Sequence, residues 1–435
     1  MREMKDSGIE WIGKIPSDWT VSKITHILDL THPYAIGDGD HGIIKADDYT
    51  DDGIPYIRVN NLGWATELQL SNVVYITQQQ NELIKSSTLK PDDILFAKTG
   101  ATIGKTAIIP KSVAIANTTS HVGKISVSRD HCAKFFYYVL SSYIGYKQFW
   151  DFASLKTTRP ELSIDEIKQT ILISPTSYAE QKAISDHLDL KCKECDTLVI
   201  DIQSQIEALE EYKRSVITEK VTKGLDPDVE MRDSGVQWIG MMPTHWDCQR
   251  GKYILRYVQK PVRDDDGVIT CFRDGEVTLR SNRREEGFTM ADKEIGYQGI
   301  DVGDLVVHGM DGFAGAIGIS DSRGKASPVL NVLDTEQNKR YIMYYLRSMA
   351  YNDVFVALAT GIRVRSCDLR WNKLAELLYP MPPVEEQQAI VEHIDSVLER
   401  TNAIIADKKQ QIETIEEYKK SLIFEYVTGK KEVQA

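Results

Sequence analysis

The 435-residue sequence contains no run of the roughly 18 consecutive apolar residues that a membrane-spanning helix requires. Its charged first 14 residues have no apolar segment of the kind found in a secretory signal peptide. Only six cysteines are present, without the dense spacing of a disulfide framework. These absences favour a cytoplasmic globular protein of two or three domains.

Positive charge is also scarce. The chain has 52 lysines and arginines against 64 aspartates and glutamates, and its net charge is −12. This balance argues against nucleic-acid binding over the whole surface, because phosphate contacts need Lys and Arg. It does not exclude local basic loops on one face, or a partner subunit that supplies the rest of a DNA clamp.

Motifs for phosphate and metal binding are incomplete. Gly100 is followed by Gly104-Lys-Thr, but three residues separate the two glycines where a P-loop needs four. The matching stretch 311–318 has no lysine, so a glycine turn between two strands is predicted in both places. Cys192 and Cys195 have C-x-x-C spacing, but no second pair completes a zinc site, and core packing is favoured. No metal site is predicted.

Motifs for methyl transfer and DNA cleavage are also missing. Residues 381–384, Met-Pro-Pro-Val, lack the polar first residue and the aromatic fourth residue of the adenine-methyltransferase tetrad. No nuclease cluster of carboxylates and lysine is evident, and the acidic run 264–266 is interpreted as a solvated loop. The sequence therefore predicts no catalytic residues.

What the sequence does contain is a duplication. Residues 4–19 return as 231–246 with an offset of 227, and residues 180–184 return as 386–390 with an offset of 206. The second middle stretch is thus shorter by about 21 residues, while the repeated blocks keep their order. This pattern indicates two scaffolds of one kind that carry different middles.

Both copies of the second block begin a long heptad pattern. In the first copy the two apolar stripes are Leu188, Cys195, Ile202, Leu209 and Val216, with Cys192, Val199 and Ile206. In the second they are Ile394, Thr401, Lys408, Ile415 and Leu422, with Leu398, Ile405 and Ile412. Each run of about 40 residues would span about 60 Å as a helix. Thr401 and Lys408 interrupt the second stripe, and polar residues there can fix register or orientation.

An α+β fold with two mixed α/β domains follows from this pattern. The two long helices are expected to form an antiparallel coiled coil, with one domain at each end and pseudo-two-fold symmetry. The expected segments are a first globular domain, a first helix, a linker, a second globular domain, a second helix and a tail, at 1–175, 176–222, 223–230, 231–380, 381–430 and 431–435.

The duplicated motifs resemble those of type I restriction-modification DNA-specificity subunits. The repeated opening is Ser-Gly-x-x-Trp-Ile-Gly-x-x-Pro-x-x-Trp, and the entry to the second helix is Pro-x-x-x-Glu-Gln-x-x-Ile, from Pro382 to Ile390. The first copy departs from this entry, since its proline is Pro175, one position earlier. The segment 92–100 is similar to a strand and turn inside these domains, and the resemblance covers essentially the whole chain.

The resemblance implies a non-catalytic subunit that reads a bipartite double-stranded DNA target through the major groove, one half-site per domain. The paired helices would fix the gap between half-sites. Two methyltransferase subunits would bring S-adenosylmethionine and adenine-N6 chemistry, and two ATP-dependent translocase-nuclease subunits would bring ATP and Mg. No cofactor is expected in this chain.

Candidate DNA contacts are assigned by residue type in segments between apolar runs. Arg suits guanine and Asn suits adenine, because each can form two hydrogen bonds to the base edge. In the first domain the candidates are Arg58, Asn60, Asn61, Lys98, Thr99, Lys105 and Arg159. In the second they are Arg273, Arg280, Asn282, Arg283, Arg284, Arg363 and Arg365. A solvated surface charge is the alternative for each of them.

Three other functions stay open at this point. A duplicated structural protein without a ligand would show the same repeat. A self-sufficient methyltransferase or nuclease is disfavoured by the missing motifs. A coiled-coil adaptor that binds only protein would lack salt-sensitive DNA binding.

Overall fold

The computed structural model describes residues 2–155, 160–283, 295–358 and 369–433. The chain divides into two compact units. Unit 1 comprises Met1–Asp201 with Gln410–Ala435, and unit 2 comprises Ile202–Lys409. Within the described ranges, no helix has the length and apolar character needed to cross a membrane.

Unit 1 combines short strands with helices. Its strands are β1 Met4–Asp6, β2 Lys14–Pro16, β3 Thr20–Lys23, β4 Ile36–Asp38, β5 Ile54–Ile57, β6 Val74–Ile76, β7 Ile94–Ala97, β8 Thr106–Ile108, β9 Asn117–Thr118, β10 Val122–Ile125 and β11 Ile171–Ser174. Its helices are α1 Gln78–Leu83, α2 Ala133–Ser141, α3 Tyr143–Ser154 and α4 Ile164–Ile167, followed by the long helix α5 Tyr178–Lys223, which continues into unit 2.

Three sheets organise unit 1 besides the β1–β2 hairpin. The central sheet is antiparallel with strand order β4-β10-β7-β8, and a second sheet has the order β6-β5-β9 with β5 and β9 parallel. β3 pairs with β11 immediately before α5. One face of the central sheet packs on α2 and α3 through Phe96, Phe135 and Phe149, all fully buried.

Unit 2 repeats much of this plan. Its strands are β12 Met231–Asp233, β13 Met241–Pro243, β14 Asp247–Arg250, β15 Arg256–Tyr257, β16 Ile269–Cys271, β17 Val277–Leu279, β18 Gln298–Ile300, β19 Leu305–His308, β20 Ile317–Ile319, β21 Gly324–Ala326, β22 Leu330–Asp334 and β23 Leu378–Met381. Its helices are α6 Gly251–Ile254, α7 Lys339–Tyr351, α8 Val354–Ala357 and α9 Trp371–Leu374, followed by the long helix α10 Val384–Val427, which ends in unit 1.

The sheets of unit 2 show which parts of the duplication are retained. The four-stranded order β15-β22-β19-β20 reproduces that of the central sheet in unit 1, and β14 pairs with β23 as β3 pairs with β11. In place of the three-stranded sheet, unit 2 has two separate pairs, β16–β17 and β18–β21. The two units therefore share a frame and differ in the strands added to it.

Long-helix segments meet inside each unit. In unit 1, Lys419 donates to both carboxylate oxygens of Asp196 at 2.7 and 2.8 Å, and Tyr426 contacts the ring of His187. In unit 2, Lys408 donates to Gln205 at 2.5 Å. In unit 1 the segments run in opposite chain directions, because a step forward along α5 is a step back along α10.

The seam residues behave as their chemistry predicts. Cys192 and Cys195 are buried, which confirms core packing, and burial raises the pKa of Cys192 to about 12. The hydroxyl of Thr401 is satisfied by its own helix, since it donates to the carbonyl of Val397 at 2.8 Å. Lys408 is only half-buried, so its ammonium stays hydrated at the edge of the seam.

The glycine-rich stretches are turns, as predicted. Gly100–Thr102 forms a short 3-10 turn between β7 and β8, and Gly312–Ala314 forms one between β19 and β20. Gly100 and Gly315 have φ of 62° and 96°, in the left-handed region that glycine adopts without strain.

Candidate DNA interface

One tryptophan per unit fixes the N-terminal hairpin to the start of a long helix. Trp19 is 1% exposed, and its indole nitrogen donates to Oε1 of Glu180 at 3.1 Å. In unit 2, Trp246 is fully buried and donates to Oε1 of Glu386, also at 3.1 Å. The repeated Trp and Glu of the sequence therefore form the same contact twice.

The neighbouring glutamine fixes a second element to the same helix start. Gln181 accepts from the backbone of Cys132, the N-cap of α2, at 2.9 Å and donates to the carbonyl of Pro175 at 2.9 Å. Gln387 makes the matching bonds to Asn338 and Pro382 at 3.0 and 2.9 Å. Both ends of one buried amide are thus satisfied, which explains why Glu-Gln recurs as a pair.

The first tryptophan of each motif plays a smaller part than the sequence suggests. Trp11 and Trp238 are both only half-buried, and their contacts differ. Trp11 packs edge-on against Tyr143, whereas Trp238 donates to the hydroxyl of Tyr345 at 3.1 Å. Each packs against the core of its own unit, and the fully buried position is taken by the second tryptophan of the motif.

In unit 2, the described basic candidates gather on one hairpin. β16 and β17 pair in the register Ile269–Leu279, and the candidates lie at the tip and just after the hairpin. They are Arg273, Arg280, Asn282 and Arg283. The structure thus brings these four residues together at the surface end of the hairpin, whose strand residues Ile269, Cys271 and Val277 are buried in the core.

Two of these arginines form ion pairs with neighbouring carboxylates. Arg273, 67% exposed, pairs with Asp311 at 2.9 Å. Arg283 lies over the ring of Phe272 at 4.2 Å and pairs with Asp274 and Glu276 at 2.8 and 2.9 Å. These carboxylates orient the guanidinium groups and also lower the net positive charge of the hairpin.

The other two polar candidates bond back to the hairpin strands. Arg280 donates through Nε to the hydroxyl of Thr270 at 3.3 Å, and Asn282 donates to the hydroxyl of Thr278 at 2.8 Å. Asn282 is exposed.

In unit 1, three candidates are enclosed by the fold. Asn61 is fully buried, accepts from the backbone of Arg58 at 2.8 Å and donates to the carbonyl of Gln69 at 2.9 Å. Lys98 is 6% exposed and pairs with Asp38 and with Glu161, the latter at 3.6 Å. Thr99 is 7% exposed. These side chains are occupied inside the protein, so they are not available to a base or phosphate in this conformation.

The remaining described candidates of unit 1 reach the surface. Arg58 lies over the ring of Tyr49 at 5.6 Å and donates to the carbonyl of Asn72 at 3.2 Å. Asn60 is exposed in the turn after β5, and Lys105 is half-buried just before β8. Four further candidates, Arg159, Arg284, Arg363 and Arg365, lie outside the described residues.

Comparison with known proteins bears on this arrangement. Residues 16–208 match the model of the type I restriction modification DNA specificity domain. The type I restriction enzyme MjaX specificity subunit of Methanocaldococcus jannaschii is 21% identical over 431 residues, which cover 96% of this chain and 95% of that one. The EcoBI specificity subunit of Escherichia coli is 24% identical over 205 residues, 47% of this chain and 41% of that one.

Over residues 16–208 this chain is therefore similar to the type I restriction modification DNA specificity domain.

The fold is similar to that of a solved structure. A solved chain from a study of complex assembly and conformational transition of the type I R-M system matches with a TM-score of 0.65 at 12% identity, over 95% of this chain and 98% of that one.

Nothing in the sequence indicates that Arg347 contacts the hairpin of β16 and β17. Arg347 on α7 donates to the carbonyl of Asp274 at 2.6 Å, and it lies 5.6 Å from the ring centre of Tyr351. Arg214 on α5 lies 5.5 Å from the same ring. From its position in an amphipathic helix, this arginine cannot be predicted to contact a residue 73 positions earlier in the chain.

Proposed function

We propose that each unit reads one half of a bipartite DNA target through the major groove. The proposal rests on one observation: the two units share a common arrangement of strands and helices but differ in the additional strands that each one carries. Both units have the same four-stranded sheet order and the same Trp–Glu contact. The added strands differ, as expected of two readers with different base sequences to recognise.

The proposed contact residues are those that the fold leaves accessible. In unit 2 the tip of the β16–β17 hairpin and the turn after β17 form the reading element, since their arginine and asparagine side chains suit base edges and phosphates while the strands themselves pack in the core. Its contacts are Arg273, Arg280, Asn282 and Arg283. Arg58, Asn60 and Lys105 serve in unit 1, and Arg159, Arg284, Arg363 and Arg365, which lie outside the described residues, are proposed from their residue type to complete the set.

The long helices α5 and α10 are proposed to form one antiparallel coiled coil that sets the gap between half-sites. The opposed contacts inside unit 1 support this arrangement. Two methyltransferase subunits and two translocase-nuclease subunits complete the enzyme. S-adenosylmethionine, ATP and Mg bind in those partners, and the complex acts in the cytoplasm.

The test is an exchange of one reader. Residues 231–380 are replaced by the matching segment of a related subunit, and the methylated sequence is determined by methylome sequencing of a host carrying either chain. One half of the modified motif should change, with the other half and the spacing kept. A matched exchange of residues 1–175 should change the opposite half. An unchanged motif, or changes in both halves after one exchange, would contradict the proposal.

A further inference from the structure

A loop after β4 places one histidine on the surface of unit 1. His41 follows the end of β4 by three residues, and its side chain is 73% exposed. Its φ is 52°, in the left-handed region that residues other than glycine seldom adopt. Such backbone conformations persist only where the surrounding structure holds them, and they concentrate at ligand-binding sites. The loop around His41 therefore has a conformation that the rest of unit 1 imposes on it.

Buried contacts fix the backbone of this loop. Asp40 is 5% exposed, and its carboxylate accepts from the backbone of Gly42 at 3.3 Å and of Ile44 at 2.6 Å. The backbone of Gly39 packs so closely on Thr119 that a Cβ would lie 2.0 Å from the carbonyl carbon of that residue. The loop is thus closed by its own aspartate and held against the connection between β9 and β10.

A largely buried ion pair lies beside the imidazole. Asp38, the last residue of β4, has a side chain that is 12% exposed, and its Oδ1 lies 3.2 Å from Nε2 of His41. Its Oδ2 pairs with the ammonium of Lys98, whose side chain is 8% exposed. Taking both charges out of water is costly, and a buried pair often stabilises a fold no more than apolar residues would. Its position indicates a role in holding His41.

The loop lies at the end of unit 1 where surface candidates also lie. β10 pairs antiparallel with β4 on one side and with β7 on the other, so the carboxyl ends of β4 and β7 share one end of the central sheet. Thr119, which Gly39 contacts, donates to the carbonyl of Ile57, the last residue of β5, at 3.3 Å. Asn60 is exposed in the turn that follows β5. His41 and Asn60 therefore extend from the same end of the unit.

The corresponding end of unit 2 carries the hairpin tip. β19 has the place of β7 in the four-stranded order, and Asp311 follows its carboxyl end. Asp311 pairs with Arg273 at the hairpin tip at 2.9 Å. The His41 loop and the hairpin of β16 and β17 thus lie at equivalent ends of the shared sheet. One location with unrelated residues is expected of two readers that recognise different bases.

We propose that His41 is a specificity-determining residue that contacts a base edge in the half-site read by unit 1. Asp38 and Lys98 are positioning residues that act through its imidazole. The inference rests on the proposed function, which supplies the half-site. Histidine suits this role, because its ring nitrogens can donate to or accept from base edges in the major groove. Lys98 thus serves DNA recognition from inside the protein.

The test uses the full chain assembled with the methyltransferase subunit of its system. The exchange of residues 1–175 first assigns one half of the target to unit 1. Filter binding then compares the target with duplexes in which each base pair of either half-site is substituted in turn. His41→Ala should lower this discrimination on the order of 10-fold at one position of the unit 1 half-site, the loss expected of one base contact. Discrimination in the other half-site should not change.

Two further variants separate the role of the side chain from that of the backbone. His41→Gly also removes the ring, and glycine adopts this φ without strain, so it should lose the same discrimination as His41→Ala. His26→Ala is the matched control and should keep full discrimination. His26 is exposed in unit 1, and the carbonyl of the adjacent Ile27 accepts from Ser128 at 2.8 Å, beyond the opposite end of β10.

Asp38→Asn tests the positioning role. Alone, it should reduce discrimination at the same position of the half-site as His41→Ala. In the His41→Ala background it should cost nothing further, because residues that act through one contact are not additive. If the two effects add fully, the positioning role is overturned. A loss of stability alone would leave the preferred base unchanged.

The outcomes for His41 distinguish the inference from the proposed function. If His41→Ala and His41→Gly keep full discrimination, weaken binding to all duplexes equally, or alter the half-site of unit 2, the inference is overturned while the proposed function stands. If the exchange of residues 1–175 changes neither half of the target, the proposed function fails and the inference fails with it.

Discussion

The indole nitrogen of Trp19 donates to Glu180 across 161 residues of sequence and joins the first hairpin to the first long helix. Arg2 also pairs with Glu180 at 2.5 Å and with Asp18 at 2.5 Å. Glu180 therefore balances the charge of Arg2 while it accepts a hydrogen bond from Trp19. The contact joins the segment around Arg2, the segment around Trp19 and the start of α5.

Removing the indole donor should destabilise unit 1. Trp19→Phe loses a hydrogen bond to a charged group and part of a fully buried ring, and we expect the free energy of unfolding to fall by about 2–4 kcal/mol. Thermal and urea denaturation measure the change. Trp11→Phe is the control from the same motif, and its half-buried ring should cost clearly less. Equal losses for the two variants would contradict the importance of this contact.

The hairpin tip should contribute to DNA affinity through charge. Arg273→Gln removes a guanidinium that is 67% exposed, and loss of one phosphate contact lowers the salt dependence of log K by about 0.9. Filter binding at several salt concentrations gives this slope. The control is Arg256→Gln, since Arg256 is 63% exposed and also pairs with an aspartate, Asp334, at 2.9 Å. If both variants keep the slope of the unaltered protein, Arg273 is not a contact.

Arg347 should act on DNA binding through the position of the hairpin. Arg347→Met removes the bond to the Asp274 carbonyl and keeps most of the side-chain length, so we expect weaker binding with an unchanged salt slope. Arg340→Met on the same helix is the control, because Arg340 pairs with Asp395 and does not contact the hairpin. A smaller salt slope for Arg347→Met would instead indicate that this residue contacts a phosphate itself.

Acid should weaken an ion-pair network in unit 2. Asp301 accepts from Lys260 at 2.8 Å and from Arg323 at 2.5 Å, and these bonds, that of Lys260 first, lower its pKa to about 2. The unfolded pKa is about 3.9, so this stabilisation is present above about pH 4 and is lost as the pH falls towards 2. Because the side chain is 43% exposed, solvent screening limits the effect to about 0.5–1 kcal/mol.

Asp301→Asn tests this pH dependence. The variant should be less stable than the unaltered protein at pH 7, and the difference should vanish near pH 2. Urea denaturation across this range measures it. Asp264→Asn, in the exposed loop nearby, should change little at any pH. A difference that persists at pH 2 would show that the carboxylate charge is not its cause.

The chain ends should tolerate being joined. Arg2 and Val433 line the same cavity of unit 1 with Trp19 and Glu180, so the first and last described residues lie close together. A circular permutant with joined ends, opened in the 223–230 linker, should keep both target specificity and subunit assembly. Methylome sequencing and native mass spectrometry test the two properties. Loss of either one would mean that the linker and the chain ends are not interchangeable.

The duplication predicted much of the frame, because each repeated residue has the same contact in both units. Trp19 with Glu180 and Trp246 with Glu386 illustrate this correspondence. The sequence could not decide which tryptophan of the motif is buried, since Trp11 repeats as faithfully as Trp19. That choice depends on the helix end that packs against the hairpin.

The candidate contacts were harder to predict, because accessibility depends on distant segments. Lys98 has the residue type of a phosphate contact, but Asp38 pairs with it from 60 residues away and removes it from solvent. Asn61 follows a strand as a base-reading residue would, yet its amide closes a turn. Arg283 is at the surface as predicted, but its acidic partners come from the preceding turn of the hairpin.

At the ends of the long helices, too, the sequence shows the residues but not their contacts. Gly224 and Gly429 have φ of 75° and 68°, and a Cβ at either position would lie 3.2 Å from Cζ2 of Trp246 or Trp19. Glycine is thus required by both the backbone and the neighbouring indole. The sequence shows the glycines, but the tryptophan that each one contacts follows only from the folded hairpin.

The composition of unit 1 has a consequence for synthesis on the ribosome. The core around Trp19 includes Leu422, Ile423 and Val427, which are made last, whereas unit 2 is a contiguous stretch, Ile202–Lys409. Unit 1 therefore stays incomplete until the final turns of α10 have been synthesised. Unit 2 begins later in the sequence, but it can complete its core first. A nascent chain stalled before residue 410 would present a finished unit 2 beside an unfinished unit 1, and would expose apolar surface to chaperones and proteases at its older end.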